Sequence, residues 1–367
     1  MEGMKNMMKK LTALLLVLLM CFTLCACSSE KAEEGTTAGN TITSDVSIPQ
    51  STEPSATELT TTEEPTTEEV TLPSVPADDN AAEKEEGITP LLYKVTDADG
   101  NVVWLFGSIH VGKEEFYPLP DYVTDAFNSS DALAVEADVS SLVESSLGLV
   151  QSMKSLIYTD GTTIKDHISE ETYTAAVAAL TDMGIYSSLM DYYCPSMWWS
   201  LIESGMILQT DVDAMLGVDM HLLSLADESR KEVREIESVS FQYEMLGEFS
   251  DELQEALLET AVEYADRADL YEQSLYLLMD LWALGDEEAF SLYLSASDED
   301  PGMSAELYEE YNTAMITDRN KNMTDYAVKA LASGEEVFIC VGAAHVVGDG
   351  AIANNLRELG YTVEVVR

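Results

Sequence analysis

Basic residues are scarce in this chain: 18 lysines and arginines stand against 68 aspartates and glutamates, a formal net charge of -50. Such a surface repels phosphate backbones, so nucleic acid is excluded as a partner, while metal cations and cationic peptides are attracted. Cysteine is also rare. Of five cysteines, only Cys194 and Cys340 lie beyond the first few dozen residues. One pair makes no disulfide framework, and Cys340 falls in an apolar strand pattern, so two buried thiols are expected. Long hydrophobic runs are missing as well. The longest, Leu11–Leu24, is shorter than the roughly 18 to 20 apolar residues that span a bilayer. No Gly-x-Ser-x-Gly elbow, His-Glu-x-x-His helix or phosphate-binding loop is present.

The short apolar run follows Lys5, Lys9 and Lys10 and ends at Leu24-Cys25-Ala26-Cys27. A basic start, a short apolar core and a small residue before cysteine form a lipoprotein signal, with Cys27 lipidated as the mature N-terminus. Residues 1–27 are therefore expected to be the signal, and the protein to be lipid-anchored on the extracytoplasmic face of the cell membrane. From residue 28 to 87 the chain is rich in Thr, Ser, Glu and Pro and has no aromatic residue. It cannot bury enough apolar surface to offset its ordering entropy, which predicts a disordered tether. Residues 88–367 contain all four tryptophans and are long enough for one proper core.

Within that domain, Leu91–Val95 and Val102–Phe106 flank an Asp-Ala-Asp-Gly turn and predict a hairpin. A short helix near Tyr122–Phe127 and a buried strand at Ala132–Glu136 complete a βαβ unit with parallel strands. The middle, about residues 140 to 227, reads as mainly helical, with Ser169 as an N-cap. Residues 231–237 alternate like a strand, and a long helical tract follows from Ser250. A helix through Arg319 to Leu331 stops at Ser333-Gly334. A strand at Val337–Val341, a loop from Gly342 to His345, a helix at Ile352–Leu359 and a strand at Thr362–Val366 close the chain. The fold class is α/β, a central mixed and largely parallel sheet flanked by helices, with a helical insertion.

Two stretches share one plan. VVWLFGSIHVG (residues 102–112) and VFICVGAAHVVG (residues 337–348) each place an apolar strand before Gly-x-x-His-Val. Sites in open parallel sheets form beyond the carboxyl ends of the strands, where both tetrads sit. Glu136 ends its strand similarly, and Glu237 is placed like it. Two imidazoles and a carboxylate at one sheet edge suit a divalent metal such as Mn, Co or Zn, which lowers the pKa of a bound water and polarises a carbonyl. A lone histidine after a strand is more often structural, but two of only four histidines in duplicated contexts favour a shared role. His167 and His221 lack such a context and read as surface or helix residues. Asp219, two before His221, reads first as a helix-surface charge and second as an acid backing a ligand. Ser108 has no strained turn to present it as a nucleophile.

These segments, with AVEAD (134–138), GVDMHLLSLA (217–226), KEVREIESVSFQ (231–242) and DRNKNM (318–323), resemble the TraB/PrgY/GumN family, which includes the animal Tiki proteins. The family is similar in fold to erythromycin esterases and a haem-binding lipoprotein. The resemblance implies a helical insertion walling one side of a cleft, and metal-dependent peptide cleavage in the Tiki branch. It assigns catalytic and metal-binding roles to His110, His345 and Glu136. It matches Arg319 with Asn320 to an Arg-Asn pair, the arginine suited to an anion or developing oxyanion, or else to a surface salt bridge. Glu237 and Gln242 match a Leu-Glu-Thr…Gln stretch in which Ile236 and Ser238 replace the flanking residues. Three functions stand open: a tethered metallohydrolase acting on peptides or peptide signals, a non-catalytic binder of a signal peptide or haem, and a metal-independent, esterase-like hydrolase.

Replacing Cys27 by Ser is expected to release the protein from membranes, because the apolar run alone is too short to hold it. Membrane fractionation checks this. Full retention of the variant would mean that an uncleaved signal acts as the anchor.

Overall fold

The computed structural model describes residues 87–140, 153–299 and 302–367. The signal, Cys27 and the tether lie outside the described residues. Six strands form one sheet: β1 (Leu92–Thr96), β2 (Val102–Ser108), β3 (Ala132–Val135), β4 (Glu232–Glu235), β5 (Val337–Gly342) and β6 (Thr362–Val366). The helices are α1 (Asp121–Ser129), α2 (Glu170–Asp182), α3 (Pro195–Ile207), α4 (Val218–Ser229), α5 (Val239–Gly247), α6 (Asp251–Asp266), α7 (Ala268–Leu284), α8 (Glu287–Glu299) and α9 (Ala305–Asn312), then α10 (Asp318–Ser333), α11 (Ala343–Val346) and α12 (Ile352–Glu358). One π-helical turn, Thr313–Thr317, joins α9 to α10.

Strand order is β4-β3-β5-β2-β1-β6. The hairpin forms as predicted, with β1 and β2 antiparallel, and β6 adds antiparallel to β1. On the other side β5 pairs parallel with both β2 and β3, and β4 parallel with β3. The strands of the predicted βαβ unit, β2 and β3, are thus parallel but not neighbours, because β5 lies between them. The central strand has every residue buried, and β3 likewise, which explains their unbroken apolar runs.

Helices cover the sheet and build a separate wall. α4 packs on β3 and β4, α10 on β2, and α12 on β6. In the insertion, α3 packs between α2 and α6 and is buried along its whole length, with Pro195 preset at its first turn. Ser169 caps α2 by accepting the Thr172 N–H at 3.0 Å, as its position before two glutamates predicts. α10 stops at Gly334, whose φ of 76° the left-handed cap requires. The stretch expected as a loop after β5 instead closes one helical turn, α11, so His345 sits on a helix. Cys194 and Cys340 are free and buried. No helix among the described residues is long and apolar enough to cross a membrane.

The domain's first residues are fastened to the end of α7, where Thr89 N–H donates to Ala283 O at 2.7 Å and Thr89 Oγ1 to Leu284 O at 2.8 Å. Gly285 permits this approach: its φ is 63°, and a Cβ there would stand 1.8 Å from Thr89 O. Gly285→Ala is expected to lower the melting temperature by about 5 °C or more, from left-handed strain and displacement of the Thr89 strap. Calorimetry checks this, and an unchanged transition would show that the strap is not part of the cooperative unit.

Candidate functional site

The register of the parallel pairs sets the site. Ser108 lies beside Gly342 at the ends of β2 and β5, and Val135 lies beside Cys340. Chain leaving β2, β3 and β5 therefore delivers His110, Glu136 and His345 to one edge. Gly342 is the point of convergence. A Cβ there would lie 3.2 Å from Glu136 Oε1, 3.6 Å from His110 Nε2 and 3.7 Å from His345 Cδ2. Its φ of -52° is open to any residue, so here glycine serves for space and not for backbone freedom.

Each imidazole is oriented from behind. His345 Nδ1 lies 2.7 Å from Asn320 Oδ1, and Asn320 Nδ2 donates to Gly350 O at 3.0 Å, which fixes the amide's orientation. Nδ1 must then carry the proton, leaving the Nε2 lone pair toward Glu136 Oε1 at 3.9 Å. His110 Nδ1 faces Asp219 Oδ1 at 3.3 Å, although neither atom meets hydrogen-bond geometry and both are buried. The loop carrying His110 is tied to the start of α4: Val218 N–H donates to Ile109 O at 2.9 Å, and Gly217 passes so close that a Cβ would stand 2.5 Å from His110 O. That tie puts Asp219, on the first turn of α4, beside the imidazole. Asp219 is therefore not the surface charge its spacing suggested.

Behind Glu136 lies a buried guanidinium. Arg319, 1 % exposed, donates through Nη2 to Glu136 Oε2 at 2.6 Å and through Nε to Glu237 Oε1 at 2.9 Å. Its Nη1 donates to Met315 O in the π-helical turn at 3.3 Å. The reading of Arg319 as a surface salt bridge is thereby corrected. Gln242 Nε2 donates to Glu237 Oε2 at 3.1 Å and to Glu136 Oε2 at 3.3 Å, and Gly342 N–H donates to Glu136 Oε1 at 2.6 Å. Glu237, two residues beyond the end of β4, lies beside Glu136, and its backbone N–H donates to Glu136 O at 2.8 Å. His167 pairs with Asp251 and stacks on Tyr158, and His221 packs on Tyr117, both apart from this cluster.

The electrostatics follow from these contacts. Burial works against a charged Glu136, but the Arg319 charge, helped by His345, His110 and the Gly342 N–H, outweighs it and holds the carboxyl at about 2. Burial, then the Arg319 charge, push His345 down to about 3, so it is neutral. For His110 burial pulls downward and Asp219 more than compensates, raising its pKa. Burial first, then the Asp219 and Glu136 charges, hold the Cys340 thiol well above its usual range, against a hydrogen bond from Ser108 that works to lower it. A small cleft, partly open to solvent, is lined by Ser108, His110, Glu136, Asp219, Gln242 and Cys340 among others. Among the described residues no three His, Cys, Asp or Glu side chains stand in a ready metal-binding group.

A sequence profile of the TraB/PrgY/gumN family matches residues 91–365. The chain belongs to that family. It is 28 % identical over 259 residues to the uncharacterized protein YbaP of Escherichia coli K12, covering 69 % of this chain and 87 % of YbaP, and equally to YbaP of Shigella flexneri. No solved structure matches. In this member of the family the duplicated Gly-x-x-His tetrads meet at one sheet edge, and Glu136, Glu237, Arg319 and Asn320 join them. The space at Gly342 depends on three-dimensional approach and left no distinct mark in the sequence, whereas Asp219 stands where its second reading, an acid behind a histidine, put it.

Two of these groups should govern acid stability. Glu136 titrates near 2 in the fold against an ordinary 4.5, so its stabilisation is complete above about 4.5 and lost as pH falls toward 2. His345 titrates near 3 against an ordinary 6.5, so its contribution is complete above 6.5 and lost on the way down to 3. Melting temperature is expected to fall steadily from pH 6.5 to 3, and His345→Gln to flatten the upper part of that slope. A wild-type profile flat across this window would contradict the buried, neutral imidazole.

Proposed function

We propose that the domain is a hydrolase of extracytoplasmic peptides or peptide signals that works with a divalent cation at His110 and His345, held at the membrane by acylated Cys27. The observation that carries this reading is the pair of imidazoles from adjacent parallel strands. Each has its Nδ1 turned to a polar acceptor, with His110 Nε2 toward the space over Gly342 and His345 Nε2 toward Glu136 beside it, the arrangement in which histidine ligands are ordinarily fixed. Charge supports it too. Glu136, Glu237 and Asp219 are opposed by Arg319 alone once His110 is deprotonated, and three negative charges against one positive leave the formal excess that a divalent cation balances. The donor set fits, although the third ligand is not preset.

Bound there, a cation such as Mn, Co or Zn would polarise the substrate carbonyl and lower the pKa of a water. The chain's own residues have separable tasks. His110 and His345 hold the ion. Glu136, with both oxygens engaged by Arg319, Gln242 and Gly342, supplies fixed negative charge or a third ligand. Asp219, whose Oδ1 faces His110 Nδ1, favours the tautomer that leaves Nε2 free, and its second carboxylate oxygen is the group to take the proton of the attacking water. That proton then passes to the leaving amine as the C–N bond breaks.

A second reading, hydrolysis without metal, is favoured by the raised pKa of His110 and by the lack of a preset three-ligand group among the described residues. His110 would then act as the acid beside Glu136. Chelator sensitivity of peptide cleavage separates the two.

Calorimetric titration with Mn²⁺, Co²⁺ and Zn²⁺, accompanied by thermal melts, tests the proposal. His110→Ala and His345→Ala are each expected to abolish binding, and the double variant to be no worse than either, since ligands act as a unit. Glu136→Gln lowers affinity if Glu136 is a ligand and leaves it intact if the carboxylate serves only through its charge. Both histidine variants binding like the wild type would sink the metal site.

A further inference from the structure

We propose that Ser108 is the hydrogen-bond donor to the substrate's carbonyl oxygen in this cleft, a role that rests on the hydrolytic reading above. Ser108 is the last residue of β2, 2 % exposed, and lines the cleft beside His110, Glu136 and Asp219. Its Oγ is buried and has no partner that meets full hydrogen-bond geometry. Its hydroxyl does interact with the Cys340 thiol, where a hydrogen bond from Ser108 works to lower the thiol pKa, but a thiol is a weak acceptor and leaves the O–H poorly satisfied. A buried hydroxyl left unpaired costs stability, and such groups are kept where something else completes them.

The neighbouring donors are already committed. Gly342 N–H and Arg319 Nη2 serve Glu136, Gln242 Nε2 serves Glu136 and Glu237, and His345 Nδ1 serves Asn320. Ser108 offers an O–H that none of these carboxylates has taken. Charge selects the class of acceptor. Glu136 and Asp219 line the same cleft, so an oxygen already anionic in free solution is repelled. A neutral amide or ester carbonyl enters without that penalty. It gains its negative charge only as water adds to carbon and the C=O π pair moves onto oxygen, when a fixed donor helps most. Ser108 keeps its proton throughout. It is not the nucleophile, because its hydroxyl has no base within hydrogen-bond reach.

The test compares wild type, Ser108→Ala and Ser108→Thr in the full chain by thermal melting, Co²⁺ affinity and cleavage of a random peptide library, with kinetics on the best library peptide. For Ser108→Ala the melting temperature is expected to stay level or rise and Co²⁺ affinity to stay level. Its kcat is expected to drop about a hundredfold with little change in KM. Ser108→Thr, which keeps the hydroxyl, is expected to retain most of the activity. A clearly lower melting temperature for Ser108→Ala would show a structural partner and overturn the assignment, as would wild-type turnover by that variant. If wild type itself neither binds Co²⁺ nor cleaves any peptide, the hydrolytic reading fails first and the role of Ser108 falls with it.

Discussion

The domain's site hangs on one buried ion cluster, the Arg319 guanidinium between Glu136 and Glu237. A guanidinium withdrawn from water this fully is tolerated because two carboxylates and a backbone carbonyl surround it. The cluster joins the ends of β3 and β4 to the first turn of α10. Removing one partner leaves the others buried and uncompensated, a loss of about 3 to 5 kcal/mol in comparable pairs. Its influence spreads from there. It keeps Glu136 ionised, it pushes His345 toward neutrality, and it places Asn320, the next residue on α10, against the His345 ring. The π-helical turn just before α10 supplies Met315 O to the same guanidinium, a local departure from α geometry of the kind that gathers at functional sites.

How much of this could be read beforehand differs by scale. The strands, the Ser169 cap and the Gly334 stop follow from alternation, capping and glycine chemistry, and each stands where local sequence puts it. So do the two Gly-x-x-His tetrads at strand ends. The insertion of β5 between β2 and β3 is a pairing across more than 200 residues, which no local pattern encodes. The one-turn helix carrying His345 was hidden because Gly-Ala-Ala-His is equally compatible with a loop. Sequence left Asp219 open between a surface charge and an acid behind a histidine for a related reason. A helix position shows its periodicity, but which face meets a partner depends on how Gly217 and Val218 dock against the His110 loop. Arg319 posed the same difficulty, since a lone arginine in a polar helix looks like solvent-facing charge until the carboxylates that surround it are assembled.

The overall acidity has its own bearing on this centre. Most carboxylates among the described residues face water, where salt screens them and each contributes little. Glu136, Glu237 and Asp219 differ by being gathered in a poorly solvated place, where attraction to a cation is far less screened. The diffuse charge raises the local concentration of cations near the protein, and the compact one would act more strongly on any cation at the proposed site.

The parallel pairing of β2 with β5 has a mechanical consequence. His110 and His345 issue from strands locked side by side at the ordinary spacing of about 4.8 Å, so the gap between their emergence points is set by backbone hydrogen bonds. Whatever settles there meets a bite of fixed width, and discrimination by size falls to the sheet. Asp219 and Gln242 come instead from α4 and α5, whose packing can slide at lower cost than a ladder can break. Adjustment to a bulky guest therefore belongs to the helical wall.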